Sequence, residues 1–454
     1  MRLRILHAVH DFLPRHVAGS EIYAYDLART LATRHDVWVL AAEYDPAANH
    51  GQIRWREHGG LPVAEIVNNW ECRGFDETYA SPRLNRQIEH VLHAVQPDVV
   101  HVHNLLNLSF DLPRLARERG ARTVATLHDY TLVCAAGGQR IHRAGRHVCE
   151  TIDPDRCARC FGESAFGPPY ALGRLAAAAR GRPLLRAAAA VHRAVPRLTA
   201  SIGAAVPSPS ITPDDIRRRL AYARHVFHQV DLFVAPSSAL AREYVALGLP
   251  ETRMLVSANG SAIAPAPRTP RAPASRLTIG YVGSLVWHKG VHVLLEAARG
   301  VRGEIDVVLF GDRAVSPAYT RDLDTLAAGA RVRFAGAFDR RQLSEVYGAM
   351  DVLAVPSLWP ENAPLVVQEA FLHGVPVVAA RVGGLPELIQ DGVNGLLYDA
   401  SSVEALRAAL QRLVDSPRLR ACLAAAAPPV KTIERDALDW EQRYARVLAE
   451  GDGR

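Results

Sequence analysis

Two segments in the second half of the chain place charged side chains where a helix is about to begin. The first, Gly283-Ser-Leu-Val-Trp-His-Lys289-Gly290, follows the apolar run Leu277–Val282 and precedes the helical pattern Val291, Leu294, Leu295, Ala298. A helix start carries unpaired N–H groups and the positive end of the peptide dipole, so Lys289 beside one forms a phosphate site. Of the 53 basic residues, all but Lys289 and Lys431 are arginine. A lysine in this turn is therefore a choice, a compact ammonium that directs a single charge. The second segment, Pro356-Ser-Leu-Trp-Pro-Glu361-Asn362-Ala-Pro364, leads into Leu365-Val-Val-Gln-Glu369-Ala, with the two glutamates eight positions apart. With Asn362 read as the cap, Pro364 in the first turn and Gly374 as the stop, Glu361 falls in the loop and Glu369 about two turns inside the helix. Carboxylates accept hydrogen bonds from neighbouring hydroxyls of a diol. The neighbours of Glu369, namely Val366, Val367, Ala370 and Phe371, are apolar, so a carboxylate there needs a partner.

Other elements could serve the same chemistry. Gly383-Gly384, between a strand and a helix, lets backbone N–H groups approach an anion. In the first half, Val17-Ala18-Gly19-Ser20-Glu21 is a second glycine turn, with Ser20 read as the cap of an amphipathic helix. His10, Asp11, His128 and Asp129 lie just past strand ends, where a His-Asp pair is either structural or part of a site. Cys134, Cys149, Cys157 and Cys160, spaced x14, x7, x2, fall within 134–160, while Cys72 and Cys422 are scattered. Four thiolates could hold a structural zinc; small buried thiols are the alternative reading. Asp153-Pro-Asp155 and Asp322-Leu-Asp324 follow no strand end and read as surface charge.

The elements that must carry these residues alternate short β-branched runs with longer helical patterns, as in parallel sheets covered by helices on both faces. In residues 1–262 strands are expected near Leu3–Val9, Asp36–Ala42, Pro97–His103, Arg122–Leu127, Asp231–Ala235 and Arg253–Ser257. In residues 276–432 they are expected near Leu277–Val282, Ile305–Phe310, Arg331–Phe334, Asp351–Val355, Val375–Ala379 and Gly395–Tyr398. Each set suffices for one doubly wound, Rossmann-like lobe, with ligands beyond the carboxyl ends of the strands. The proline-rich stretch 263–275 reads as the linker between lobes. The similarity of Val230–Ser237 to Met350–Ser357 gives weak support to two alike lobes. Residues 433–450 suggest a terminal amphipathic helix through Ile433, Leu438, Trp440, Tyr444 and Leu448. Residues 171–212, rich in Ala, Arg and Pro, read as a helical insertion, either a solvated surface or a contact with anionic membrane.

Composition narrows the classes. A net charge of +6 over 454 residues, 22% charged and 7% aromatic, is ordinary for a globular enzyme. Basic residues are dispersed apart from 171–212, which disfavours nucleic-acid binding. No long uncharged apolar run or leader pattern occurs, so a reducing cytoplasmic setting is expected, with any membrane contact peripheral.

Taken together, the Gly283–Gly290 turn with its lysine, the paired Glu361 and Glu369, Gly383-Gly384, the Gly19-Ser20-Glu21 turn and strand-end His128 resemble the retaining GT-B glycosyltransferases of family 4. The likeness runs from about Leu3 to about Tyr444. It implies two Rossmann-like lobes facing a cleft, with the last helix crossing back to the N-terminal lobe. It implies a nucleotide-sugar donor held by the C-terminal lobe, its diphosphate on Lys289, its ribose on Glu369 and the transferred sugar on Glu361 and Asn362. Gly19, Gly283, Ser284, Gly383 and Gly384 would line the donor site, and His128 would contact the sugar near the reacting carbon. The implied reaction is hexosyl transfer to an acceptor hydroxyl with retention and no cofactor or catalytic metal. A saccharide or lipid-linked saccharide in envelope polysaccharide or glycolipid assembly is the expected acceptor.

One position departs from the family pattern: Ser284 stands where an arginine is usual. Arg313 and Arg381, each following a strand of the second lobe, are candidates to supply the missing charge. Two other readings are a same-fold sugar-nucleotide epimerase or phosphorylase, and a non-catalytic binding protein.

Overall fold

The computed structural model describes residues 2–177, 211–265 and 276–450. They divide into two compact units. The first comprises Met1–Pro236, Leu240–Gly260 and Ile433–Arg454, and the second comprises Ser237–Ala239 and Ser261–Thr432.

The first unit is built on an eight-stranded sheet. Its strands are β1 (Arg4–Val9), β2 (Asp36–Glu43), β3 (Ile53–His58), β4 (Leu61–Val67), β5 (Val99–Val102), β6 (Arg122–Thr126), β9 (Leu232–Ala235) and β10 (Met254–Val256). They lie in the order β10-β9-β6-β5-β1-β2-β4-β3, parallel except for β3 against β4. Runs such as Val-Val-His-Val in β5 are buried at every position, as expected of strands covered on both faces. Sequence order reverses between β1 and β5, and that is where a doubly wound sheet opens a crevice beyond its strand ends.

The β3–β4 hairpin was not expected from the sequence. Gly59-Gly60 joins the two strands with φ of 57° and 83°, the left-handed pair that a two-residue hairpin turn requires. Glu65 on β4 is buried, and it is held there by the guanidinium groups of Arg15, Arg54 and Arg56. A further short hairpin, β7 (Ile141–His142) with β8 (His147–Val148), lies inside the cysteine-bearing loop.

The second unit has six parallel strands: β11 (Leu277–Val282), β12 (Ile305–Phe310), β13 (Val332–Gly336), β14 (Val352–Val355), β15 (Val377–Ala380) and β16 (Gly395–Tyr398). Their order, β13-β12-β11-β14-β15-β16, is that of a dinucleotide-binding sheet, and its switch point falls between β11 and β14. The resembling segments Val230–Ser237 and Met350–Ser357 contain β9 and β14, which occupy different positions in their sheets. Their likeness reflects the shared alphabet of buried strands, not a repeat.

The terminal helix Ile433–Ala449 belongs to the first unit and buries Ile433, Ala437, Trp440, Tyr444 and Val447, one stripe at helical spacing. Leu438, expected on that stripe, is 44% exposed, because its position points away from the line through Trp440. Asp436, also on the buried face, accepts hydrogen bonds from the Tyr23 hydroxyl (2.7 Å) and the Gly260 N–H (2.9 Å). Most of the insertion read over 171–212 and of the linker read over 263–275 lies outside the described residues. The described ends are the helix Gly167–Ala177 and the helix Pro213–Gln229, the latter capped by Thr212 in a reciprocal pair with Asp215. Among the described residues, no helix is long and apolar enough to cross a membrane.

Candidate active site

In the second unit, the turns after β11 and β14 meet at the switch point. The β11 turn ends in a 3-10 turn, Trp287–Lys289, and Gly290 at φ 70° is the N-cap of the helix Val291–Arg299. A side chain at 290 would collide with the Pro356 carbonyl oxygen, so glycine is what lets the two turns touch. The Leu358 N–H donates to the His288 carbonyl at 2.8 Å and ties them. This contact sets the Lys289 ammonium 2.6 Å from Glu361 Oε1, which also accepts from Ser357 Oγ (2.5 Å) and Trp359 Nε1 (2.8 Å). The ammonium lies 5.2 Å from the Trp359 ring centroid. Glu361 is thus a buried carboxylate with one cationic and two neutral donors on a single oxygen.

Gly383-Gly384 packs against this carboxylate's backbone. Gly383 has φ 54°, and a Cβ there would collide with the Glu361 backbone. The Gly384 N–H donates to the Glu361 carbonyl at 2.6 Å. The expectation that the glycine pair offers its N–H groups to an anion is corrected at Gly384, whose N–H holds the Glu361 loop. Asn362 does not cap the following helix. That helix runs Leu365–Leu372 with Pro364 at the N-cap and no side-chain cap, so Glu369 sits in its second turn, closer to its start than expected. Glu369 accepts from the Tyr347 hydroxyl at 2.7 Å, and burial raises its carboxyl above the usual range.

In the first unit, the strand ends at the switch point carry histidines. His128, after β6, lies 3.2 Å through Nε2 from His103 Nδ1, and burial lowers its pKa to about 3. Asp129 accepts from the Thr131 N–H (2.7 Å) and the Asn104 side-chain amide (2.9 Å), so its first role is to shape the turn. His10 stands 3.4 Å from Glu21 and 3.7 Å from Asp11. The helix Gly19–Leu31 begins at Gly19 with Ala18 as N-cap, and Ser20 donates to Glu21 at 2.8 Å. Ser20 is therefore inside the first turn and is not the cap.

Residues 17–157 match the family described as glycosyltransferase family 4, and residues 266–428 match the glycosyl transferases group 1 family. The chain belongs to glycosyltransferase family 4. It is 35% identical over 180 residues to a D-inositol 3-phosphate glycosyltransferase of Xylanimonas cellulosilytica, an alignment covering 39% of this chain and 42% of that protein. The chain thus spans about two fifths of that curated relative's length. Among solved structures it is similar to sucrose-phosphate synthase from Thermosynechococcus elongatus (TM-score 0.68, 17% identity, 99% of this chain and 100% of the other). It is likewise similar to Anabaena HepE in complex with UDP and glucose (TM-score 0.62, 17% identity, 99% and 100%). The fold is the GT-B fold of two Rossmann-like lobes.

Within this family 4 chain, Ser284 is exposed, and its carbonyl accepts from the Tyr281 hydroxyl at 2.8 Å. Neither arginine considered as a substitute for the usual family arginine is uncommitted. Arg313 pairs with Asp324 at 2.7 Å and lies 4.5 Å from the Phe334 ring centroid, and Arg381 lies 3.6 Å from Asp391. Asp324 is thus an ion-pair partner, and Asp153 caps the helix Pro154–Glu163 by accepting from the Asp155 and Arg156 N–H groups, so neither is idle surface charge.

Cys134, Cys149, Cys157 and Cys160 are free thiols on the β7–β8 hairpin and its flanks. Burial, reinforced by the neighbouring thiols, raises the pKa of Cys149 and takes Cys157 and Cys160 to about 12. They do not form a closed ligand set. Among the described residues, the groups near enough for one are His7, His101, His103 and His10, Asp11, Glu21. Cys160 is buried and the other three are half-buried. The sequence reading missed His7, His101 and His103; their signal was a histidine in the midst of otherwise apolar strands, where an imidazole needs partners.

Proposed function

We propose that this protein transfers a hexosyl group from a nucleotide-sugar donor to an acceptor hydroxyl, with retention of anomeric configuration and without a divalent metal. The observation that carries the proposal is the Lys289–Glu361 pair at the switch point of the second sheet, one charge of each sign beside an uncapped helix start. A departing nucleoside diphosphate is an anion whose charge grows in the transition state. The Lys289 ammonium and the first N–H groups of the helix Val291–Arg299 stabilise that charge without a metal. Gly283 and Ser284 line the diphosphate, and Gly19 is a further donor contact. Glu361, with Asn362, accepts from hydroxyls of the transferred sugar, and Glu369 accepts from the ribose diol. Gly383 and Gly384 hold the Glu361 loop in place. His128 meets the sugar near the reacting carbon. Glu361 is a polar contact and not a covalent nucleophile, so departure and attack take place on the same face of the sugar.

The acceptor is a saccharide or lipid-linked saccharide, and the setting is envelope polysaccharide or glycolipid assembly at the cytoplasmic face of a membrane. The arginines of 171–212 would contact anionic lipid. Salt-sensitive flotation with anionic liposomes tests the lipid contact, and its absence removes it.

The test of function is a screen of UDP-, GDP-, ADP- and dTDP-sugars with wild type and Lys289→Ala, with product configuration read by NMR and EDTA present in one arm. Turnover of one donor, lost in Lys289→Ala and insensitive to EDTA, is expected. No turnover together with no nucleotide-induced thermal shift would favour a non-catalytic binding protein. Interconversion or phosphorolysis of the donor would favour an epimerase or phosphorylase.

A further inference from the structure

His7 on β1, His101 on β5 and His103 just past the end of β5 lie on one face of the first sheet, since His7 pairs in register with His101 and alternate residues of an extended chain point the same way. His7 and His101 are 0% exposed. His7 Nδ1 lies 2.9 Å from His103 Nε2, and His103 Nδ1 lies 3.2 Å from His128 Nε2. The planes of these successive rings differ by only 20° and 19° and their centroids stand 5.2 and 5.4 Å apart, the spacing of rings joined edge to edge through an N–H···N bond. The three imidazoles form one continuous chain from the sheet interior to the strand end.

A metal does not explain the arrangement, although His7, His101 and His103 bring ligand atoms within 4.8 Å of one another. The His101 ring lies face to face with His103, centroids 4.2 Å apart and planes 21° apart, so their lone pairs run side by side and do not converge. Both His101 nitrogens are also engaged, Nδ1 by the Tyr444 hydroxyl at 2.7 Å and Nε2 by Thr126 Oγ1 at 2.8 Å.

Proton accounting gives the chain a direction. Burial lowers the pKa of His7 and His128 to about 3 and that of His103 well below its ordinary value, so each ring is neutral and carries one N–H. Two contacts among three rings allow two orders. If protons point inward, His7 Nε2 carries an N–H in a wholly buried spot where that nitrogen has no partner. If they point outward, His7 Nε2 is a bare lone pair, His7 donates to His103, and His103 donates to His128. A buried unpaired N–H is the rarer defect, so the outward order is the stable one.

We propose that His103, itself oriented by His7, is a positioning residue that fixes His128 as its Nδ1–H tautomer, with His128 Nε2 accepting from His103. The tautomer follows from the geometry; its effect on turnover rests on the assignment of His128 to the donor sugar made above. A ring set in this way orients and polarises without accepting a proton.

The experiment is a long-range ¹H–¹⁵N correlation on the full chain labelled with ¹⁵N-histidine, with His128 assigned by its loss in His128→Asn. Nδ1–H is expected for His128 in the wild type, and an Nε2–H pattern overturns the proposal before any other variant is made. His103→Asn keeps an amide nitrogen where Nδ1 stood and preserves the His128 pattern. His103→Leu removes the donor and gives mixed tautomers. An unchanged pattern in His103→Leu also overturns the proposal. In turnover, His103→Leu lowers kcat by about tenfold or more with KM little changed, and His103→Asn recovers most of it. Nδ1–H in the wild type alongside full activity of His128→Ala would leave the tautomer standing and remove the assignment of His128 to the sugar.

Discussion

The Lys289 ammonium and the Glu361 carboxylate, 72 residues apart in sequence, are joined by a 2.6 Å hydrogen bond. Glu361 is 4% exposed, and the bond brings a cation from the neighbouring strand's turn to it. The pair couples the proposed diphosphate and sugar contacts before any donor arrives.

Removing the cation leaves Glu361 with two neutral donors. Lys289→Ala is expected to lower stability by about 1–3 kcal/mol, since a charged group loses its charged partner. It should also lower kcat/KM for the donor by about 10²–10³, the scale of losing one oxyanion-type contact. Glu361→Gln, which keeps an acceptor for Ser357 and Trp359, should cost less stability. Urea unfolding of the two single variants and the double variant checks this. Strict additivity would show that the bond couples nothing.

Gly383 and Gly392 form a matched pair. Both have positive φ, 54° and 75°, but a Cβ at 383 meets the Glu361 backbone, whereas one at 392 meets nothing within 4 Å. Gly392→Ala therefore reports backbone strain alone, on the order of 1 kcal/mol. Gly383→Ala adds displacement of the Glu361 loop and should weaken nucleotide binding, which Gly392→Ala should not. Calorimetric titration of both variants with the nucleoside diphosphate distinguishes them, and equal affinities would refute the proposed support of the loop.

Glu369 predicts a pH dependence. Burial raises its folded pKa above the unfolded value, so between the two the folded state binds more protons and stability falls as pH rises. Glu369→Gln removes this slope while its amide oxygen still accepts from Tyr347. The variant should gain stability relative to wild type as pH climbs out of the carboxylate range, and it should bind nucleotide about 10-fold to 100-fold more weakly through lost charge-assisted bonds. Denaturation from about pH 4 to about pH 8 reads the first effect. A stability difference independent of pH would contradict it.

Trp440 is fully buried, donates to the Tyr23 hydroxyl at 3.0 Å and lies 4.1 Å from the His101 ring. Trp440→Ala should cost about 3–5 kcal/mol. Because His101 stacks on His103, the same variant should broaden the His103 resonances; sharp, unshifted signals would show that the helix does not support the column.

The thiols should separate by reactivity. Cys422 is exposed, while burial pushes Cys72, Cys157 and Cys160 up to about 12. Cys422 is expected to react with a disulfide reagent first, and those three only on unfolding. Cys422→Ser should lose the fast phase. Stoichiometric zinc in purified protein, lost on changing Cys157 and Cys160 to serine, would instead restore the four-thiolate site.

What could be read from the chain alone was whatever is local. Alternating apolar runs located most strands of both sheets, and the turn that carries Lys289 and the loop that carries Glu361 were legible because a strand end and a helix start are encoded by adjacent residues. The β3–β4 hairpin was also written locally, in Gly59-Gly60 ahead of the apolar run Leu61–Val67. Three-dimensional packing decided the rest. That Glu361 binds Lys289, that Gly384 spends its N–H on the Glu361 loop, and that four histidines on or just past three neighbouring strands meet in one column depend on strand order. Strand order is set by how the helices cover the sheet, and no spacing along the chain records it. A lone histidine in a buried strand shows only that a partner is required. The partner's identity, and with it the direction of the protons, comes from the neighbouring strand that the fold places beside it.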